Sequence, residues 1–140
     1  MINALFWNIR EVSKAPNLRR LIQLIRMHDV QFLCICEPKL NVAKIESIHL
    51  RLSFDFVMVN TSVDLWVFYK SPFVCSQVGS FDQHITLDAH RPLLPSSLVL
   101  SWVHARCFVE ARKDLWRDVL LEKPQLRPWC VGGASMFHLV

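Results

Sequence analysis

The feature that most constrains this chain is a nearly continuous apolar run, VQFLCIC, at residues 30–36. A strand has this composition when other elements cover both of its faces, as happens inside an α/β sheet. The run stops at Glu37-Pro38-Lys39, so a carboxylate directly follows a strand that is predicted to be buried. Such a strand needs neighbouring strands and covering helices, and the sequence predicts both.

Apolar spacing predicts three helices and seven further strands around this run. Asn17 is a candidate N-cap for the first helix, Val42 begins the apolar face of the second, and Pro124 ends the third. The other predicted strands cover residues 4–9, 54–59, 65–69, 73–78, 84–87 and 98–103, with the last one starting at residue 129. We expect residues 54–78 to form an antiparallel meander, and Gly132-Gly133 to form a tight loop. The mixed order predicts an α/β sandwich with its helices outside the sheets.

Length and composition indicate a globular protein inside the cell. The 140 residues fit one domain, and a hydrophobic content of 52% excludes a disordered chain. Charged and turn residues interrupt every apolar run before the roughly 18 residues that a membrane helix needs, and no secretory signal is present. Five scattered cysteines without a C-x-x-C pair indicate reduced thiols, so we expect a nuclear or cytoplasmic protein without a membrane partner. The net charge of +4 is compatible with a polyanionic partner, and no obligate protein partner is predicted.

Polar residues follow three of the predicted strands: Asn8, Glu37 and His104. Because strand ends of one sheet lie side by side, these side chains are candidates for a single cleft. A glutamate suits Mg²⁺, an asparagine can hydrogen-bond a phosphate, and a histidine can donate to a phosphoryl oxygen or move a proton. Each also has a purely structural interpretation, as a turn former, a surface charge and a core histidine respectively.

Six segments carry a resemblance to a known family: ALFWNIR, VQFLCICEPK, DLWVFYK, LSWVHARC, ARKDLWRDVL and PWCVGG. In this order they resemble the N-terminal endonuclease domain of plant LINE-type (non-LTR) retrotransposons, which belongs to the DNase-I-like endonuclease/exonuclease/phosphatase superfamily. The resemblance implies a four-layer α/β sandwich that nicks DNA by Mg²⁺- or Mn²⁺-dependent phosphodiester hydrolysis. Asn8 matches the family's strand-end asparagine and Glu37 its metal-binding glutamate, while His104 takes the place of a phosphate-contacting tyrosine.

The resemblance also implies that catalytic groups are missing. Where the family carries Asp-Phe-Asn after its glycines, this sequence has Ala134, Ser135 and Met136, and neither alanine nor a thioether can activate water or hold a phosphate. The family's Ser-Asp-His element is absent, and His138 has no aspartate beside it. Losing a general base alone costs on the order of 10²–10⁴ in rate. We therefore expect an incomplete sandwich without its C-terminal part, and a defective enzyme.

The loss of one base could explain this ending. If Asp-Phe-Asn is written GAC TTC AAT and followed by G, loss of the second base gives GCT TCA ATG, which encodes Ala-Ser-Met. We therefore expect residues 1–133 to be a truncated domain and residues 134–140 an out-of-frame tail. Two earlier departures point the same way. Glu11 and Val63 stand where the family usually has glycine, and a β-branched residue resists the positive φ that a hairpin turn needs.

Two alternatives remain open at this stage. Besides a defective endonuclease, the sequence allows a nucleic-acid-binding module without catalysis, or a polypeptide without a stable fold, because unpaired edges and uncovered apolar faces promote aggregation. Steep loss of DNA affinity with rising salt would indicate the binding module. Its candidate contacts are Arg10, Arg19, Arg20, Arg26, Arg106 and Arg112.

Overall fold

The computed structural model describes residues 2–8, 14–36, 45–106 and 108–134, and within them it contains eight strands and three helices. The strands are β1 (Ala4–Asn8), β2 (Phe32–Cys36), β3 (Phe56–Val59), β4 (Leu65–Tyr69), β5 (Val74–Ser80), β6 (His84–His90), β7 (Leu98–His104) and β8 (Trp129–Ala134). The helices are α1 (Ala15–Met27), α2 (Ile45–Leu52) and α3 (Val109–Leu121). The predicted α/β class is therefore confirmed.

The chain divides into two compact units, each with its own four-stranded sheet. The first unit holds Met1–Val59 and Val63–Ser71, and the second holds Asn60–Ser62 and Pro72–Val140. Residue 72 is a proline, which cannot donate a backbone hydrogen bond to a ladder, so the chain changes sheets where pairing is interrupted.

The sheet of the first unit has the strand order β1-β2-β4-β3. β1 and β2 are parallel and connected through α1, whereas β4 runs antiparallel to both of its neighbours. Every residue of β2 and β4 is buried, which explains why both strands are apolar along their whole length. The core combines side chains from α1, α2 and this sheet, among them Leu18, Leu21, Ile25, Leu33, Ile35, Ile48, Leu52, Trp66 and Phe68.

Helix α1 begins earlier than the sequence predicts. Its N-cap is Lys14, whose side chain makes no capping hydrogen bond, and a proline occupies the first turn. Proline is favourable there because its ring fixes φ and the N–H that it lacks would have no partner within the helix. Asn17 consequently lies inside the helix, so the prediction that it is the cap is wrong. The predicted apolar face is correct, since Leu18, Leu21 and Ile25 are buried.

The turn between β3 and β4 contains a residue in a costly backbone conformation. Val63 has a φ of 63°, in the left-handed region, and its carbonyl accepts a hydrogen bond of 3.0 Å from Nε1 of Trp66. A β-branched residue is disfavoured in this region because its Cβ substituents crowd the backbone. The prediction that this turn requires a positive φ is confirmed.

The sheet of the second unit has the order β5-β6-β7-β8, with β8 parallel to β7 and the other pairs antiparallel. Strands β4 and β5 therefore belong to different sheets, and the predicted meander over residues 54–78 is wrong at this connection. The periodicity identified each strand correctly, but periodicity carries no information about which neighbour a strand selects.

Helix α3 packs one side on the second sheet. Leu115 and Val119 contact Val103 in a small apolar cluster, in which Trp116 is partly buried. Leu120, which the sequence assigns to the same face, is 62% exposed. None of the described helices combines the length and hydropathy needed to cross a membrane.

Candidate functional site

Asn8, the first candidate residue, lies at the carboxyl end of β1 in the first sheet. In the parallel ladder Asn8 pairs with Cys36, as the last residues of β1 and β2. The backbone therefore brings Asn8 beside the residue that precedes Glu37, as the sequence predicts for neighbouring strand ends. Glu37 itself, together with Pro38 and Lys39, lies outside the described residues.

His104 ends a strand of the other sheet. It is the last residue of β7, is half-buried, and its backbone N–H donates a 2.7 Å hydrogen bond to the carbonyl oxygen of Gln83. The premise that all three candidates end strands of one sheet is therefore wrong for His104. Spacing along the sequence could not reveal this, because it does not indicate where a chain leaves one sheet for another.

The paired glycines form part of a strand rather than a loop. Gly132 and Gly133 lie within β8, paired with Trp102 and Val103 of β7, so the predicted tight loop is wrong. A Cβ atom placed on Gly133 would lie 2.0 Å from the carbonyl oxygen of Val103, whereas one on Gly132 would meet nothing within 4 Å. Gly133 is thus required by the close approach of two backbones.

Strand β8 continues far enough to bring Ala134 opposite His104 in the parallel register. The resemblance assigns position 134 to an aspartate, so the residue that follows the glycines is next to the end of β7 but carries only a methyl group. Ser135, Met136 and His138 lie outside the described residues, as does the remainder of the predicted tail.

A cavity of about 470 Å³ lies within the second unit. Its polar lining includes Asp82, whose carboxylate is 3.6 Å from the guanidinium of Arg106. Gln83, only 8% exposed, donates to the carbonyl of Ala111 at 2.7 Å and accepts from the backbone N–H of Arg106 at 2.8 Å. This glutamine therefore fixes the β5–β6 turn against both α3 and the segment after His104. The polar residues just before β6 were the signal in the sequence for this contact, and we did not predict it.

A buried hydrogen-bond network lies behind His84, which lines the same cavity. The carboxylate of Glu122 is 3.0 Å from His84 Nε2 and accepts a 2.5 Å hydrogen bond from the hydroxyl of Thr86. Because that hydroxyl has a single proton, Thr86 must accept the 2.8 Å hydrogen bond that it shares with Ser101. Trp129 donates in turn to the Ser101 hydroxyl at 2.9 Å. The donors therefore run in one direction, from the indole to the carboxylate.

A second charged cluster fixes the segment before β8. Arg127 donates to Asp88 and to the Ser97 hydroxyl, which lies 2.8 Å away. Partial burial acts to raise the pKa of Asp88, but hydrogen bonds from Ser97 and Arg127 and the positive charge of Arg127 outweigh it. The net result is a lowered pKa, so this carboxylate is held in its ionised form.

The four cysteines that the structure describes are not arranged as a metal site. Cys34 and Cys36 are completely buried in β2, and burial raises the pKa of Cys34 far above its usual value. Burial, with a contribution from the charge of Asp88, raises the pKa of Cys75 to about 12. Thiols with such raised pKa values remain protonated at neutral pH. Throughout the described ranges no three histidine, cysteine, aspartate or glutamate side chains form a group that could hold a metal ion.

Solved structures resemble this chain along nearly its whole length. The endonuclease domain of TRAS1, a telomere-specific non-LTR retrotransposon, aligns with a TM-score of 0.63 and 12% identity over 95% of this chain and 58% of that domain. The mannosyl-6-phosphatase of Bacteroides thetaiotaomicron aligns with a TM-score of 0.68 and 11% identity over 95% of this chain and 64% of the phosphatase. An endonuclease/exonuclease/phosphatase family protein from the same bacterium aligns with a TM-score of 0.63 and 13% identity. That alignment covers 94% of this chain and 62% of the bacterial one.

Sequence comparison adds no relative, since no family model and no curated protein matches the chain. At these identities the structural similarity establishes the fold alone. The chain spans about 60% of the length of the structures that it resembles. Along that length it has the DNase-I-like fold of endonuclease/exonuclease/phosphatase proteins.

Proposed function

We propose that this chain is part of a divalent-metal-dependent endonuclease of the LINE retrotransposon type, and that it is catalytically defective. The observation that carries the proposal is the register of two parallel ladders. Asn8 is paired with the residue preceding Glu37, and His104 is paired with Ala134. The polar strand ends that the resemblance requires are thus accompanied by an alanine at the position of the catalytic aspartate.

The proposed substrate is DNA, and the proposed bond is a phosphodiester. This choice is supported by the six sequence segments and by the structural similarity to a retrotransposon endonuclease. The similarity to a sugar-phosphate phosphatase is compatible with the same fold acting on other phosphate esters. DNA remains our preference because the net charge of the chain is positive. We assign the protein to the nucleus or cytoplasm, where its thiols would stay reduced.

Glu37 would be the ligand for Mg²⁺ or Mn²⁺, since these ions bind through one or two carboxylates and retain several waters. When bound, the ion would stabilise the charge that develops on the phosphate. Asn8 would hydrogen-bond a phosphate oxygen or orient the carboxylate, and His104 would donate to a phosphoryl oxygen. Ala134 and Met136 supply neither a base for the attacking water nor a donor to the phosphate.

A nicking assay on supercoiled DNA tests the defect. We expect no conversion to open-circular DNA above background in Mg²⁺ or in Mn²⁺, and no difference between the wild type and Glu37→Ala. The matched control is Glu46→Ala, which removes an exposed carboxylate from α2. Robust nicking that is lost in Glu37→Ala and kept in Glu46→Ala would show that the chain is an active enzyme.

A second measurement tests the retained metal site independently of activity. Titration of the protein with Mn²⁺, followed by electron paramagnetic resonance, should show one bound ion in the wild type and in Glu46→Ala. Glu37→Ala should lose this binding, because no described cluster offers an alternative site. Equal Mn²⁺ binding by all three proteins would remove Glu37 as the proposed ligand.

A further inference from the structure

Helix α1 presents an unusual concentration of positive charge. Its 13 residues contain no aspartate or glutamate, and Arg19, Arg20 and Arg26 are all exposed. At about 100° per residue, Arg19 and Arg26 lie within about 20° of each other around the helix, separated by about 10.5 Å along its axis. Arg20 lies beside this line. We call these three residues the α1 stripe.

The charges of the α1 stripe are not compensated within the described part of the chain. None of the three arginines forms an ion pair there. The exposed cations of α3 behave differently, since Lys113 is 3.1 Å from Glu110 and Arg117 is 3.1 Å from Asp114. Uncompensated exposed arginines attract polyanions, because binding releases the condensed counterions of the partner.

The α1 stripe lies along the flank of the first unit. Helix α1 follows β1 and leads back to the start of β2, where the Asn3 side chain donates to the carbonyl of His28 at 2.8 Å. The stripe therefore extends away from the strand end at Asn8 and toward the opposite end of the sheet. It is consequently distinct from the candidate cleavage site.

We propose that the α1 stripe binds the phosphate backbone of a nucleic acid, independently of any cleavage. The distance of about 10.5 Å between Arg19 and Arg26 corresponds to about three base-pair steps along the axis of a duplex, at about 3.4 Å each. An anionic membrane surface is the less favourable partner. An amphipathic helix gains much of its affinity for membranes by inserting its apolar face, and here Leu18 and Leu21 are completely buried in the protein core. The proposal rests on the proposed function only for the class of partner.

The experiment measures how binding depends on salt, in EDTA so that metal and cleavage play no part. Fluorescence anisotropy would follow a labelled 20-base-pair duplex, and in a second arm a single-stranded RNA, between 50 and 200 mM salt. Removing two duplex contacts in Arg19→Gln/Arg26→Gln should reduce the slope of log K against log salt by about 1.8. Across this range the wild type would then lose about 12-fold more affinity than the variant. Adding Arg20→Gln should remove a further increment of about 0.9.

The matched control is Lys113→Gln/Arg117→Gln, which removes the same net charge from ion-paired positions on α3. We expect this variant to keep the wild-type slope. Equal slopes for both double variants would overturn the proposal, because net charge alone would then explain binding. Binding to phosphatidylserine vesicles without binding to either nucleic acid would overturn it in favour of a membrane partner. Loss of the proposed metal site at Glu37 would leave every one of these measurements unchanged.

Discussion

The Glu122 carboxylate lies 3.0 Å from Nε2 of His84, at a place where the two side chains are 11% and 1% exposed. Gly79 on the neighbouring strand makes this contact possible. A Cβ atom at position 79 would lie 1.7 Å from Oε1 of Glu122. The absence of a side chain on β5 therefore creates the space in which a helix-terminal carboxylate reaches the interior of the sheet.

Gly79→Ala should displace this carboxylate from its donors. Because hydrogen bonds to a charged group contribute about 1.5–3 kcal/mol, we expect the free energy of unfolding to fall by about 2–3 kcal/mol. Urea denaturation measures the change. In a Glu122→Ala background the same substitution should cost much less, since the added methyl group no longer meets the carboxylate. Additive losses in the double variant would mean that the contact between Gly79 and Glu122 does not limit stability.

The adjacent glycines of β8 should respond differently to the same substitution. Gly133→Ala forces a methyl group against the backbone of Val103, and such overpacking costs about 1–3 kcal/mol. Gly132→Ala meets no atom within 4 Å and should change the free energy of unfolding by no more than about 0.5 kcal/mol. Thermal unfolding of the two variants in parallel provides the comparison. Similar melting temperatures for both would contradict the close approach of β7 and β8.

Val63→Gly should stabilise the protein. A non-glycine residue in the left-handed region costs roughly 1–2 kcal/mol, and glycine loses part of this gain through its more flexible unfolded state. We expect a net increase of about 0.5–1 kcal/mol in the free energy of unfolding, measured by denaturant titration. Val74→Gly, at an exposed position of β5, is the comparison and should be destabilising. Destabilisation of both variants would argue against strain at Val63.

Asp88 should make stability depend on pH in the acidic range. Its pKa is lower in the folded protein than in the unfolded chain, so its contribution is present above the unfolded value of about 3.9. This contribution is lost as the pH falls through the folded pKa. Asp88→Asn should therefore be less stable than the wild type at pH 6, and the difference should shrink below about pH 4. A difference that stays constant down to pH 2 would exclude ionisation of Asp88 as its cause.

The helices and strands themselves could be predicted from the sequence better than the pairing between strands. The apolar run at residues 30–36 identified the central strand β2, because burial on both faces leaves a direct compositional record. The position of β5 in a second sheet left no such record, since pairing is decided by contacts distant in the chain. The predicted cap at Asn17 was wrong because the preceding proline is itself favourable in the first turn of a helix.

The candidate site could be predicted only in part, and the reasons are similar. Asn8 and the strand end before Glu37 are neighbours because a β-α-β unit places successive parallel strands side by side. The role of Gly133 was missed, since Gly-Gly is typical of loops and the carbonyl of Val103 that excludes a side chain comes from a distant segment. Gln83 and Glu122 were missed because polar residues near strand and helix ends are usually exposed, and burial became evident only in the structure.

The one-way hydrogen-bond network from Trp129 to Glu122 also specifies how the strands of the second sheet align. Thr86 and Ser101 are direct partners across β6 and β7. Sliding β6 by a single residue would turn both the Thr86 hydroxyl and the His84 ring to the opposite face, away from the Glu122 carboxylate that they contact. This misalignment is therefore penalised during folding by a buried carboxylate that has lost its hydrogen-bond donors.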